Sequence, residues 1–168
     1  HLAPVLSTYT LSMEDLTDLA GEIRRCVRGG QVDDKASPQL EKIRKKIIIF
    51  SERIKSKIDG ILKSPAFRPF LQEGPVSIRQ GRYVIPVKNE CRKNVRGQVL
   101  DTSASGSTVY IEPSEVTGAQ DDLNLCRLQE EKEVYRVLAA LTALVEESGQ
   151  QLSVNVEAMA QMDFALAK

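Results

Sequence analysis

Apolar side chains recur at helical spacing early in the chain. Met13, Leu16, Leu19 or Ala20, Ile23 and Val27 predict a helix over 13–28, with Ser12 as its N-cap. Gly29-Gly30 ends it, and 31–36 reads as a loop. Ser37-Pro38 then restarts the chain as N-cap and first helical residue, where the missing N–H of proline costs nothing. The clearest pattern follows. Leu40, Ile43, Ile47, Phe50, Ile54, Ile58 and Ile61 step by three or four residues and predict a helix over 38–63. This stripe covers about 25 residues, or roughly 37 Å at 1.5 Å per residue. The other faces of the helix carry Lys42, Arg44, Lys45, Lys46, Arg53, Lys55, Lys57 and Lys63. Pro65, Pro69 and Gly74-Pro75 break the pattern.

Between 75 and 112 the period changes to two. Val76 and Ile78 alternate with polar neighbours, Gln80-Gly81 suits a tight turn, and Tyr83, Ile85 and Val87 alternate again. Pro86 within that run points to an edge strand or a strand end. Residues 89–95 are polar and basic, a loop or a single helical turn. Gln98-Val99-Leu100 and Thr108-Val109-Tyr110-Ile111 form a second strand pair around Ser103-Ala104-Ser105-Gly106, with Gly106 supplying a positive φ. Two hairpins in one small, mostly antiparallel sheet are expected, in a stretch too short to fold well alone. Helix resumes at Pro113 and runs to about Glu147, with Val134, Leu138, Leu141 and Val145 marking its apolar face. Its exposed faces carry Glu115, Asp121, Asp122, Glu130, Glu131 and Glu133. After Gly149, residues Leu152, Val156, Met159, Met162 and Leu166 predict a further helix.

Charge sharpens this picture. The chain holds 23 basic and 23 acidic residues, but residues 1–74 carry 13 and 10, 75–112 carry 6 and 3, and 113–168 carry 4 and 10. A basic long helix and an acidic long helix therefore bracket the β segment. The economical arrangement is an antiparallel, coiled-coil-like pair with the sheet at its far tip, and the basic face of 38–63 is read as pairing with the acidic helix. Exposed ion pairs would set register, while the apolar seams supply most of the packing energy. The fold class read from these patterns is α+β, mainly α. Its expected parts are a helical region and first long helix over 1–74, a β module over 75–112, and a returning helix plus a following helix over 113–168.

Composition adds exclusions. Cys26, Cys91 and Cys126 are odd in number with no CxxC spacing, which argues against a disulfide scaffold and a zinc site and fits an intracellular, reducing compartment, cytoplasmic or organellar (a plastid included). No apolar run approaches the roughly 18 residues of a membrane span. The chain opens on His1 rather than Met, followed by Leu-Ala-Pro-Val-Leu, and reads as a piece of something longer. His1 is the one histidine, so no internal Ser-His-Asp site is available to Asp101 and its neighbouring serines.

Two stretches resemble a known family. Gly30-Gln31-Val32-Asp33-Asp34-Lys35-Ala36-Ser37-Pro38-Gln39-Leu40, followed by Ile43-Arg44, resembles the entry to the lever helix of MutS type 2 proteins. Arg82-Tyr83-Val84-Ile85-Pro86-Val87-Lys88, Gly97, Asp101, Ser103-Ala104-Ser105-Gly106-Ser107-Thr108 and Ile111-Glu112-Pro113 resemble that family's clamp segment. The resemblance runs from about residue 10 to the end. It implies a lever of long helices carrying a β clamp, in a homodimeric protein that hydrolyses ATP with Mg in a following domain and often ends in a Small MutS-Related nuclease domain. It further implies partners in branched DNA or ribosomal RNA, and roles in suppression of recombination, DNA repair or rescue of collided ribosomes. No GxxxxGK[ST] motif occurs in this chain, so neither ATP nor nuclease residues carry over to it, and the chain itself is expected to hold no cofactor, no metal and no catalytic centre.

The candidate nucleic-acid contacts are Lys88, Arg92, Lys93 and Arg96 on the 88–96 loop, with Arg79 and Arg82 nearby. Long cationic side chains on a tip loop reach phosphates, and no interleaved aromatic series suggests base readout. A solvated loop is the competing reading. Residues 103–108 read as a hairpin turn rather than a phosphate cradle, since cradles precede a helix N-terminus. Glu130, Glu131 and Glu133 read as a solvated helix face, and Cys91 as a plain surface cysteine. Two functions compete: a nucleic-acid-holding relay module, or a structural dimerisation or protein-docking module.

Overall fold

In a computed structural model that describes residues 2–167, the chain divides into two compact units. One comprises residues up to Leu40 together with Lys132 onward, and the other Glu41–Glu131. The elements in order are α1 (Leu2–Ser12), α2 (Thr17–Cys26), β1 (Val27–Arg28), β2 (Gln31–Val32), α3 (Pro38–Lys63), β3 (Ser77–Arg79), β4 (Arg82–Lys88), β5 (Gly97–Thr102), β6 (Thr108–Pro113), α4 (Ser114–Glu147) and α5 (Gly149–Leu166). Short 3-10 turns lie at Asp34–Ala36, Arg68–Phe70 and Asn89–Asn94. The α+β, mainly α, fold class is thus observed.

The first unit corrects the expected helix over 13–28. Ser12 ends α1 instead of capping a helix, and Asp15 sets the next start: its Oδ1 accepts from Thr17 N at 2.8 Å and from Thr17 Oγ1. The far end differs too. Gly29 and Gly30, at φ +55° and +77°, form a two-residue hairpin turn between β1 and β2, so Gln31 and Val32 are strand rather than loop. Beyond this hairpin, Ser37 caps α3 as expected, its Oγ accepting from Gln39 N at 3.1 Å and Leu40 N at 3.2 Å. Cys26, Val32, Leu40, Val137 and Leu141 form the buried cluster of this unit. α5 packs on α1, and Asn155 clasps the backbone of Glu14, accepting from its N at 2.9 Å and donating to its O at 2.8 Å.

Two expected apolar faces are rotated. On α4 the buried positions are Val116, Gln120, Leu123, Cys126, Glu133, Val137 and Leu141, while Leu138 and Val145 are exposed. On α5 Ala158 is buried, while Val156, Met159 and Leu166 face outward. The buried faces include Gln120, Cys126, Glu133 and Ala158, small or polar residues that apolarity alone does not mark. Glu133 is likewise buried rather than solvated. It accepts from Ser37 Oγ at 2.5 Å and from Arg136 at 2.7 and 2.9 Å.

The second unit is built on an antiparallel sheet in the order β3-β4-β6-β5. Tyr83, Ile85, Val87, Val109 and Ile111 project from one face onto Ile54 and Ile58 of α3 and Val116 and Leu123 of α4. Each fully buried Ile or Leu contributes up to about 1.5–3 kcal/mol, so this shared core, not the sheet alone, stabilises the unit. Within it, α3 and α4 run antiparallel: Arg44 meets Glu130 at 2.7 Å, and Lys57 reaches the Glu115 carbonyl at 3.1 Å. Among the described residues, no other α3 cation forms an ion pair with α4. Lys45 and Lys63 bond within their own helix, to Glu41 and Asp59.

Pro86 lies on an inner strand of this sheet, not an edge. β3 ends opposite Val84, so the missing N–H of Pro86 faces a side where no β3 residue waits. Its carbonyl on that side accepts from Gln72 N at 3.1 Å.

Candidate nucleic-acid interface

The basic 3-10 turn Asn89–Asn94 lies in the connection from β4 to β5; both strands run antiparallel to β6, so this connection crosses from one end of the sheet to the other. Three apolar or backbone anchors hold it. Val95 is buried in the core of the unit, and Cys91, half-buried, packs against the same cluster rather than standing as a surface cysteine. Asn89 ties the turn to the β5–β6 hairpin, its N donating to the Ser107 carbonyl and its Nδ2 to the Gly106 carbonyl, both at 2.9 Å.

Gly97 fixes where β5 begins. A Cβ placed there would lie 2.0 Å from the Glu112 carbonyl oxygen, at φ +153°. Only glycine allows β5 to approach β6 this closely. The 103–107 turn behaves as a hairpin. Gly106 has φ +72°, its N donates to the Ser103 carbonyl at 2.8 Å, and Ser103 Oγ accepts from Thr108 N at 3.1 Å. Its backbone donors are turned inward rather than toward an anion.

The six basic candidates separate into two groups. Arg82 is drawn inward: it donates to both carboxylate oxygens of Glu112, at 2.8 and 3.0 Å, and to Asp121. Glu112 is almost fully buried, and Arg82 is the cation that makes this possible. The hydrogen bond to Asp121 raises the pKa of Arg82 above its ordinary value; burial opposes it, and the charges of Glu112 and Asp121 add to the rise. Arg79 pairs with Asp101 at 2.9 Å and lies over the Tyr110 ring, 4.3 Å from its centre. Lys88 donates to the Pro69 carbonyl at 3.2 Å. Arg92, Lys93 and Arg96 are exposed, and no ion pair holds any of them among the described residues.

Sequence reasoning missed a polar residue that supports the start of β4. Gln120 is buried, accepts from Tyr83 N at 2.6 Å and donates to Tyr83 O at 2.9 Å. Its place on the helical rhythm Val116, Gln120, Leu123 was the available signal. Among the described residues, no group of three His, Cys, Asp or Glu side chains is placed to hold a metal ion. Among the described residues, no helix is long and apolar enough to cross a membrane.

No family profile matches the chain. Individual relatives do. The chain is 37% identical over 166 residues to the Endonuclease MutS2 of Pelotomaculum thermopropionicum, an alignment covering 98% of this chain and 21% of that protein. Over its length, the chain belongs to the MutS2 family. The Endonuclease MutS2 of Brevibacillus brevis is 40% identical over 169 residues, and that of Symbiobacterium thermophilum 41% over 166. The chain spans only 22% and 21% of the length of those two relatives.

Proposed function

We propose that this chain is the lever and clamp of a MutS2 protein and that it holds nucleic acid through the turn between β4 and β5. The observation that carries this reading is the division among the basic residues. Arg79, Arg82 and Lys88 are engaged within the protein, while Arg92, Lys93 and Arg96 stand exposed and unpaired on an anchored turn. Cations released from internal pairing are free to neutralise phosphates, and the absence of a base-reading aromatic series suits contact with the backbone alone.

The wider role rests on the relatives, whose name describes an endonuclease. In the whole protein, which we take to be a homodimer, ATP and Mg would act in a separate ATPase domain. The clamp would then relay nucleotide state to branched DNA or to ribosomal RNA, in suppression of recombination, repair, or rescue of collided ribosomes. The chain by itself is not an enzyme in this reading.

The test is fluorescence anisotropy of the chain with a four-way DNA junction and with linear duplex, across a salt series. Binding that falls steeply with salt and is lost on reversing Arg92, Lys93 and Arg96 to Glu supports the reading. Unchanged binding in that variant overturns it. A second reading, a protein-docking module, is favoured by Leu125 and Leu128, which stand exposed on α4 beside Asp121 and Asp122. It predicts no nucleic-acid binding even at low salt.

A further inference from the structure

The cations of α3 are sorted around the helix in a way the loop reading does not use. Lys42, Lys46, Arg53 and Lys57 fall at i, i+4, i+11 and i+15, so they share one exposed face. At roughly 100° per residue the three acids of α3, Glu41, Glu52 and Asp59, fall on a different flank. Two of those acids are engaged there by Lys45 and Lys63, each at 2.6 Å. The stripe is therefore a line of cations with no carboxylate of its own helix among them. It extends for about 22 Å at 1.5 Å per residue. Lys42 and Lys46 carry no ion pair among the described residues. Arg53 rests over the Phe50 ring at 5.8 Å, and Lys57 donates only to the Glu115 carbonyl.

Pairing with α4 does not explain this line, because the α3 cation that meets a carboxylate of α4 is Arg44, on another flank. We propose that Lys42, Lys46, Arg53 and Lys57 form a second contact line for the phosphate backbone of a nucleic-acid duplex, separate from the turn that carries Arg92, Lys93 and Arg96. The complementarity is one of charge and shape: a straight row of long, flexible cations suits an extended run of phosphates, and each contact displaces condensed counterions. Ile49, exposed within the same row, makes no base contact in this arrangement and packs against sugars.

The test compares two triple variants of the whole chain that remove equal charge. One is Lys42→Gln, Lys46→Gln, Arg53→Gln. The other is Lys45→Gln, Lys55→Gln, Lys63→Gln, on other flanks of α3. All six residues are exposed, and circular dichroism checks that helix content is unchanged. Binding to duplex DNA and duplex RNA of about 30 base pairs is followed by anisotropy across a salt series. The stripe variant is expected to weaken binding at least about 10-fold at low salt and to flatten the salt slope by about 2–3, while the control loses less than about 3-fold. Whether the loss is larger on DNA or on RNA identifies the source of the phosphates.

Equal losses in the two variants would overturn the proposal in favour of a general field effect. So would an unchanged stripe variant, or binding of poly-glutamate as tight as duplex and equally sensitive to the stripe, which would reassign the face to an acidic protein. The Arg92, Lys93, Arg96 variant run alongside separates the two readings. Loss there with none in the stripe variant sinks the stripe alone, the reverse sinks the loop alone, and no binding by the unmodified chain sinks both.

Discussion

Gln120 completes the hydrogen bonding of Tyr83 with its side-chain amide, accepting from the backbone N and donating to the backbone O. Tyr83 sits on β4 just past the point where β6 has turned away: the β4–β6 register begins at Ile85 opposite Ile111. α4 thus supplies, through one side chain, the two bonds that β6 does not make there. Replacement by Leu keeps the volume and orphans both groups of Tyr83. The expected loss is about 2–4 kcal/mol in urea unfolding, and Gln120→Glu should lose at least as much at neutral pH, because it buries an unpaired carboxylate against the Tyr83 carbonyl. Equal stability in the Leu variant would show that Tyr83 has another partner.

Arg82 and Glu112 test a different balance. Removing the cation by Arg82→Met leaves a nearly fully buried carboxylate facing only water-poor surroundings. The expected cost is about 3–5 kcal/mol, and a paired Arg82→Met, Glu112→Leu variant should recover much of it. A double-mutant cycle reads this directly. Additive single effects would mean that the pair is not coupled.

Gly97→Ala should be among the most damaging substitutions in the second unit. Its Cβ would meet the Glu112 carbonyl, so β5 must separate from β6. Gly106→Ala meets open space and is opposed only by its positive φ, with a cost of about 1 kcal/mol. Thermal melts of both variants should rank them in that order, with hydrogen exchange in β5 raised only by the first.

Glu133 gives a pH signature to the first unit. The hydrogen bonds from Arg136, then from Ser37, hold its pKa down at about 2. A carboxylate depressed in the folded state stabilises fully above its ordinary value near 4.5, and that contribution is lost as pH falls from there toward about 2. Melting temperature measured from pH 7 to pH 2.5 should drop through this window. In Glu133→Gln the drop should be shallower, with a lower plateau at neutral pH. Parallel curves would refute the linkage.

Much of this architecture was legible from residue order. The bounds of α3 follow from Ser37-Pro38 and a strict isoleucine stripe, and both hairpins of the four-stranded sheet follow from alternation broken by Gln80-Gly81 and Gly106. What escaped has a common cause. Helix faces were assigned by size and apolarity, whereas α4 buries Gln120 and Glu133 because each finds partners across sequence separations of 37 and 96 residues. Such partners have no local signal. The same holds for the candidate interface. Six basic residues look alike in sequence, and only their long-range neighbours, Glu112 for Arg82, Asp101 for Arg79 and Pro69 for Lys88, separate the engaged from the exposed.

Asn89 holds the basic turn to the β5–β6 hairpin through two bonds to consecutive carbonyls, those of Gly106 and Ser107. The rotational freedom of these two loops relative to each other is therefore surrendered when the chain folds. A ligand that docks there meets a backbone already held in place and bears only the cost of ordering exposed side chains such as Arg92 and Lys93, roughly 0.5–1.5 kcal/mol each.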